Sequence, residues 1–173
     1  WTRRQRQMCI RDRMMGFLGS KSYIKYQPLG TIGVISPWNF PVNLVLAPLA
    51  GIFAAGNRTM IKPSELTPAT SEVTKKMFEA YFDKSEAAVF TGDAEVGAAF
   101  SALPFDHLLF TGGTQIGKKV MKAASENLVP VTLELGGKSP VIVDEDANLS
   151  EVAKKVMRGK TMNAGQILSL IHI

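Results

Sequence analysis

Cysteine is nearly missing from this chain. Cys9 is the only one in 173 residues, so no disulfide can close within the chain and no cysteine cluster can hold a metal. A reducing, cytoplasmic setting is therefore expected. Long apolar runs are missing too. The longest, Phe40 to Ala55, is broken by Asn43, Pro41 and Pro48 and falls short of the roughly 20 residues that cross a bilayer. It reads as a buried helix, and no membrane partner is expected. No apolar stretch follows the arginines near the N-terminus, so that segment does not read as a secretory signal. Excess charge is missing from the body of the chain. Five of the seven arginines fall in residues 1 to 13 with Asp12, which leaves 15 basic and 14 acidic groups from residue 14 onward. A net charge of +5 thus builds no basic groove for a phosphate backbone, and no nucleic-acid partner is expected. Internal repeats, low-complexity tracts and the dinucleotide pattern GxGxxG are also lacking.

What is present is the composition of a globular protein, 46% hydrophobic and 20% charged, in a chain of a length suited to one ordinary domain. Leu29 to Ser36 is rich in β-branched residues and bounded by Pro28 and Pro37, which predicts a strand. Val42 to Ala55 is apolar nearly all round and stops at Gly56-Asn57, with Pro48 implying a kink or a late start. Arg58 to Lys62 is a second strand. Thr67-Pro68 then supplies an N-cap and a first-turn proline, and the helix that follows is expected to bury a stripe of Val73, Met77, Tyr81, Phe78 and Phe82. Glu86 to Phe90, His107 to Thr111, Val131 to Leu135 and Val141 to Val143 read as further strands. Helical patterns lie at Glu95 to Ser101, Thr114 to Asn127 and Leu149 to Met162. Strand alternating with helix predicts an α/β fold, an open and mostly parallel sheet with helices on both faces. Such sheets bind ligands beyond the carboxyl ends of their strands. Residues 1–13 and 167–173 match neither period of this pattern, and both are expected to be non-native tails around a truncated frame.

Four constellations fall where that crevice is expected. Gly112-Gly113-Thr114-Gln115-Ile116-Gly117 joins a strand to a helix, where free N–H groups attract phosphate and glycine permits close approach. The same residues read as GxxxxGK through Lys118, and Val141 to Asp144 (VIVD) resembles the acidic strand of a P-loop NTPase. Lys119 stands where that motif needs Ser or Thr for magnesium, however. Pro37-Trp38-Asn39-Phe40-Pro41 holds an amide between two prolines, a possible donor to an oxyanion or simply a turn. Ile61-Lys62-Pro63-Ser64-Glu65 puts a cation and a carboxylate at a strand end, able to bond a ribose or each other. Glu134-Leu135-Gly136-Gly137-Lys138 places a carboxylate between an apolar strand and a glycine pair. It is expected either to be partly desolvated and suited to general-base work or to pair with Lys138.

All four occur in one chain and in one order, followed by Asn163-Ala164-Gly165-Gln166. The combination, running from Tyr26 to Gln166, resembles the aldehyde dehydrogenase superfamily. Pro48, where many members carry lysine, and Leu103 to Thr111 (LPFDHLLFT) look most like its coniferyl aldehyde dehydrogenase subgroup. The resemblance implies a Rossmann-like coenzyme domain at residues 14–133, lacking its beginning, and the start of a catalytic domain at 134–166. It implies NAD as cofactor, with NADP as the second choice, a small-molecule aldehyde as substrate, no metal, and a homo-oligomeric parent protein. Aldehyde oxidation in that family passes through a cysteine thiohemiacetal and a thioester.

By the same resemblance, Asn39 donates to the oxyanion and Glu134 activates the deacylating water. Lys62 and Glu65 bond the adenosine ribose, with Glu65 set against a 2′-phosphate. Ser36, Pro37 and Trp38 border the cofactor groove, Gly112, Gly113 and Gly117 surround the pyrophosphate helix, and the Leu135 backbone faces the nicotinamide. The chain departs from the family at Gly113, where Ser or another small residue is usual, and at Leu168, which occupies the place of the nucleophilic cysteine. A P-loop-like protein or a non-catalytic nucleotide-binding module remain the alternatives. Leucine forms no covalent intermediate, so purified chain given NAD and an aldehyde should reduce no NAD above background, as followed by absorbance of the reduced nicotinamide.

Overall fold

The computed structural model describes residues 25–167, and the two expected tails lie outside it except for Ile167. Five strands form one sheet: β1 (Thr31–Ile35), β2 (Arg58–Lys62), β3 (Ala87–Val89), β4 (His107–Gly112) and β5 (Val131–Leu135). Their order is β3-β2-β1-β4-β5 and every pairing is parallel. Helices α1 (Asn43–Ala54), α2 (Pro68–Tyr81), α3 (Ala94–Ser101) and α4 (Thr114–Ser125) connect successive strands, and α5 (Leu149–Thr161) follows the sheet. β5 runs across the expected domain boundary at 133/134.

Alternation along the strands places the helices. Ile32 and Val34 of β1 join Ile61 and Val89 in one buried cluster with Val45 and Leu49 of α1 and Phe78 of α2. Leu108 and Phe110 of β4 join a second cluster with Phe100 at the end of α3 and Val120 and Ala124 of α4, against which Ile35 and Met60 pack. Side chains of opposite parity on β1 and β2 thus enter opposite clusters, so α1 and α2 cover one face and α3 and α4 the other. The expected two-faced architecture is the observed one.

Local chemistry accounts for the element ends. α1 closes in a Schellman turn, in which Gly56 at φ +79° donates to Phe53 O and Asn57 N donates to Ile52 O at 3.0 Å. The Asn57 carboxamide oxygen then accepts from Leu29 N and Gly30 N, tying the helix stop to the entry of β1. The helix does not start late. It runs through Pro48, which has no N–H to offer the carbonyl one turn back. Pro68 opens α2 as expected, but Thr67 makes no side-chain cap; its hydroxyl lies 3.4 Å from Ser64 O instead. The cap that sequence reasoning passed over is Asp93, which accepts from Glu95 N and Val96 N at the start of α3.

Two expectations about burial are corrected. On α2 the inward face is Ser71, Thr74 and Phe78, with Phe82 partly buried behind it, while Val73, Met77 and Tyr81 are exposed. Aromatic stacking selects that face, since the Phe78 ring stacks on Phe82 and Phe82 on Phe53, leaving the other apolar positions outside. Val141 to Val143 is not a strand, and all three residues are exposed. The sheet ends at β5, and an apolar run without a partner strand has no ladder to join.

Gly33 shows how closely the second face is packed. A Cβ there would lie 2.7 Å from both Leu108 Cδ1 and the Phe105 ring. Gly33→Ala should therefore cost about 1–3 kcal/mol by overpacking, read as a lower urea midpoint at unchanged slope.

Candidate functional site

The chain leaves β1 toward β2 and β3 on one side and later returns to build β4 and β5 on the other. At such a switch point the loops after neighbouring strands diverge, and a crevice opens at the carboxyl ends. A cavity of about 500 Å³ lies there. Ser36, Pro37, Trp38 and Asn39 enter it from β1, Lys62 and Glu65 from β2, and Gly112 and Gly113 from β4. Eight of the residues singled out from sequence thus meet in one space.

The polar groups of this space are buried beyond what a turn needs. Ser36 is 3% exposed and its Oγ has no hydrogen-bond partner; Asn39 is 8% exposed and its Oδ1 has none. An unmet buried polar atom costs about 1–3 kcal/mol, so two at one cavity suit a place that is completed by a ligand. Asn39 Nδ2 donates to Gln166 O at 2.6 Å, and Asn163 Nδ2 donates to Asn39 O at 2.7 Å. Asn163, Ala164 and Gly165 between them all have left-handed φ values of 50°, 55° and 77°. For the alanine this conformation costs about 1–2 kcal/mol.

Lys62 is the bulkiest fully buried side chain at 2% exposure. Its ammonium donates to Pro63 O at 2.9 Å and to Glu65 Oε2 at 3.4 Å, while Glu65 remains 44% exposed. A cation so enclosed with one distant, solvated carboxylate retains donor capacity for hydroxyls at the cavity wall. α4 begins at Thr114 with Gly113 as its uncapped N-cap; Ile116 N already donates to Gly113 O at 3.1 Å, so the N–H groups of Thr114 and Gln115 and the positive end of the helix dipole are available to an anion. A Cβ on Gly112 would strike the Phe110 ring at 2.6 Å, whereas one on Gly113 would meet nothing within 4 Å.

Three expected residues stand apart. Gly117 is buried on the inner face of α4, where a Cβ would lie 2.8 Å from Leu135 Cδ2, and neither residue lines the cavity. They serve the contact of α4 with β5. Glu134 is exposed, with no ion pair to Lys138 among the described residues. The expected desolvation is not found, because Val131, Leu133 and Leu135 turn toward the second cluster and alternation sends Glu134 to the other face, where none of the described helices covers it. The P-loop alternative loses its geometry as well. Thr114 to Gly117 are helix rather than a phosphate-wrapping loop, and the VIVD segment forms no strand of the sheet.

Sequence reasoning missed the far wall. Ala94, Gly97, Ala98 and Ser101 of α3 face Ile116, Val120 and Ala123 of α4 across the cavity. Small residues at i, i+3, i+4 and i+7 were the available signal, since they let two helices flank a flat apolar slot. Among the described residues no group of three or more His, Cys, Asp or Glu side chains could hold a metal ion, and no helix is long and apolar enough to cross a membrane.

The model of the aldehyde dehydrogenase family matches residues 4–171. A Caulobacter vibrioides protein named "Probable coniferyl aldehyde dehydrogenase" is 64% identical over 154 residues, which cover 89% of this chain and 32% of that protein. The coniferyl aldehyde dehydrogenase of a Pseudomonas species is 62% identical, with 87% and 31% covered. Among solved structures, Staphylococcus aureus AldH in its substrate-bound state superposes with a TM-score of 0.83 at 50% identity, over 86% of this chain and 32% of that one. The NAD+ complex of a Bacillus cereus aldehyde dehydrogenase gives 0.77 at 37% identity, over 84% and 30%. The chain spans about a third of the length of these relatives.

One titratable group away from the cavity sets a pH dependence. His107 opens β4 at the opposite end of the sheet, with Nε2 2.8 Å from Thr132 Oγ1, and burial pushes its imidazole below the ordinary value of 6.5. Above that value both folded and unfolded forms are neutral. Below it the unfolded chain takes up the proton first, so stability falls as pH drops. Urea midpoints at about pH 7.5 and 5.5 should differ in the wild type, and His107→Gln should narrow the difference.

Proposed function

The chain belongs to the aldehyde dehydrogenase family, and we propose that it forms the coenzyme-binding part of an enzyme that oxidises an aldehyde to the carboxylic acid with NAD, NADP being the second choice. The cavity at the β1/β4 switch point carries this reading, through the unpartnered Ser36 Oγ, the enclosed Lys62 and the uncapped start of α4. These residues fit a dinucleotide by chemistry. The α4 N–H groups and Gly113 receive the pyrophosphate, with Ser36, Pro37 and Trp38 along the groove. Lys62 and Glu65 hold the adenosine ribose hydroxyls, and the small residues of α3 admit a flat base. Glu65 would repel a second phosphate on that ribose, which ranks NAD first.

The bound nicotinamide supplies the acceptor for the two electrons and hydrogen leaving the substrate carbon. Asn39 offers its remaining amide N–H to the developing oxyanion, and Glu134, on the exposed face of β5, accepts a proton from the water that releases the acid. The attacking thiol is not carried at position 168, where leucine stands; the chain as written binds coenzyme and does not turn over. An aromatic, coniferyl-type substrate is supported by the names of the relatives at 64% and 62% identity. Residues 14–133 as coenzyme unit, 134–166 as the start of the catalytic unit, a cytoplasmic location and a homo-oligomeric parent complete the proposal.

Trp38 lines the cavity and is 38% exposed, so it serves as its own reporter. In a Trp1→Phe background, NAD should quench its fluorescence to saturation. At a hundredfold excess over Kd, NAD should raise stability by about 2.7 kcal/mol. Protection by magnesium-ATP with none from NAD would sink the proposal and restore the P-loop reading.

A further inference from the structure

Two carboxamides tie the segment after β1 to residues 163–166: Asn163, 124 residues downstream, donates to the Asn39 main chain, and the Asn39 side chain donates to the main chain of Gln166. Asn163 donates to the Asn39 carbonyl. The left-handed turn that Asn163 opens then carries the Gln166 carbonyl round to accept from the Asn39 side chain. A carbonyl can only accept, so it admits one orientation of that amide, with nitrogen toward Gln166 and oxygen away. The oxygen is thereby left buried and unpartnered. Few residue types suit position 163. The side chain must donate across a gap of 2.7 Å while the backbone stays at φ 50°, and asparagine is among the few non-glycine residues that visit that region readily.

We propose that Asn163 is a positioning residue, which sets the direction of the Asn39 amide through the turn at residues 163–165. Its place in the reaction rests on the reading above, in which Asn39 donates to the oxyanion. Nδ2 carries two hydrogens; Gln166 takes one, and the direction of the other follows from that bond. Asn39 itself contributes nothing that would hold its amide this way round, since no other partner of its side chain exists among the described residues.

The test uses the 15N-labelled 173-residue chain and follows the Asn39 side-chain amide, identified by its disappearance in Asn39→Asp. Asn163→Gly keeps the left-handed turn without the donor. Asn163→Asp keeps size and backbone preference but presents an acceptor to an acceptor. Both should shift the Asn39 amide signals and speed their hydrogen exchange about tenfold, the equivalent of one hydrogen bond, while the amides of Ile32 to Val34 keep their protection. Unchanged Asn39 signals in both variants would overturn the proposal. So would an equal loss of protection in β1, which would make Asn163 a mere structural prop. The two readings fail separately: an absent NAD titration of Trp38 removes the coenzyme reading and leaves these signals unaffected.

Discussion

Central strand β1 has a neighbour on each side, and the parallel pairing of both neighbours governs the rest of the molecule. Right-handed crossovers place α1 and α2 over one face as the chain moves outward to β3, and α3 and α4 over the other when it moves toward β5. The loops after β1 and β4 are therefore driven apart, and no helix can close the gap between them. The most polar part of the interior collects at that gap. Two of the three buried, unpartnered side-chain atoms found among the described residues belong to Ser36 and Asn39, and the enclosed ammonium of Lys62 lies one strand away. Elsewhere the two faces are filled by ordinary apolar packing, with aromatic rings stacked on the α2 side and tilted against one another around Phe100 on the other.

Much of this was legible in the sequence because strand, turn and helix signals agreed with one another. The Gly56-Asn57 stop and the proline opening α2 each carry backbone requirements that no tertiary contact needs to override. The cavity was legible for the same reason, since its residues sit at strand ends, where local pattern and parallel topology coincide. What remained hidden depends on partners distant in the chain. Nothing within α2 tells whether Val73 or Thr74 faces the sheet; the stack of Phe53, Phe78 and Phe82 decides it. Nothing within VIVD tells whether a neighbouring strand exists, and the exposure of Glu134 follows from which face of β5 is covered.

Asn39 gathers these threads. Its position after β1 could be read from the prolines around it, and its donor chemistry from its side chain, but the orientation of that side chain depends on main-chain atoms more than a hundred residues downstream. The turn that provides them holds an alanine in a left-handed conformation, and local backbone preference gives no forewarning of that. Left-handed dihedral angles at Asn163 and Ala164 thus lie beside the expected oxyanion donor, in keeping with the tendency of backbone strain to gather at functional sites.

The enclosure of Lys62 has a chemical corollary. An amine with 2% of its surface accessible, and already donating to a neighbouring carbonyl, is shielded from acylating and alkylating reagents that modify the open lysines at 118 and 119.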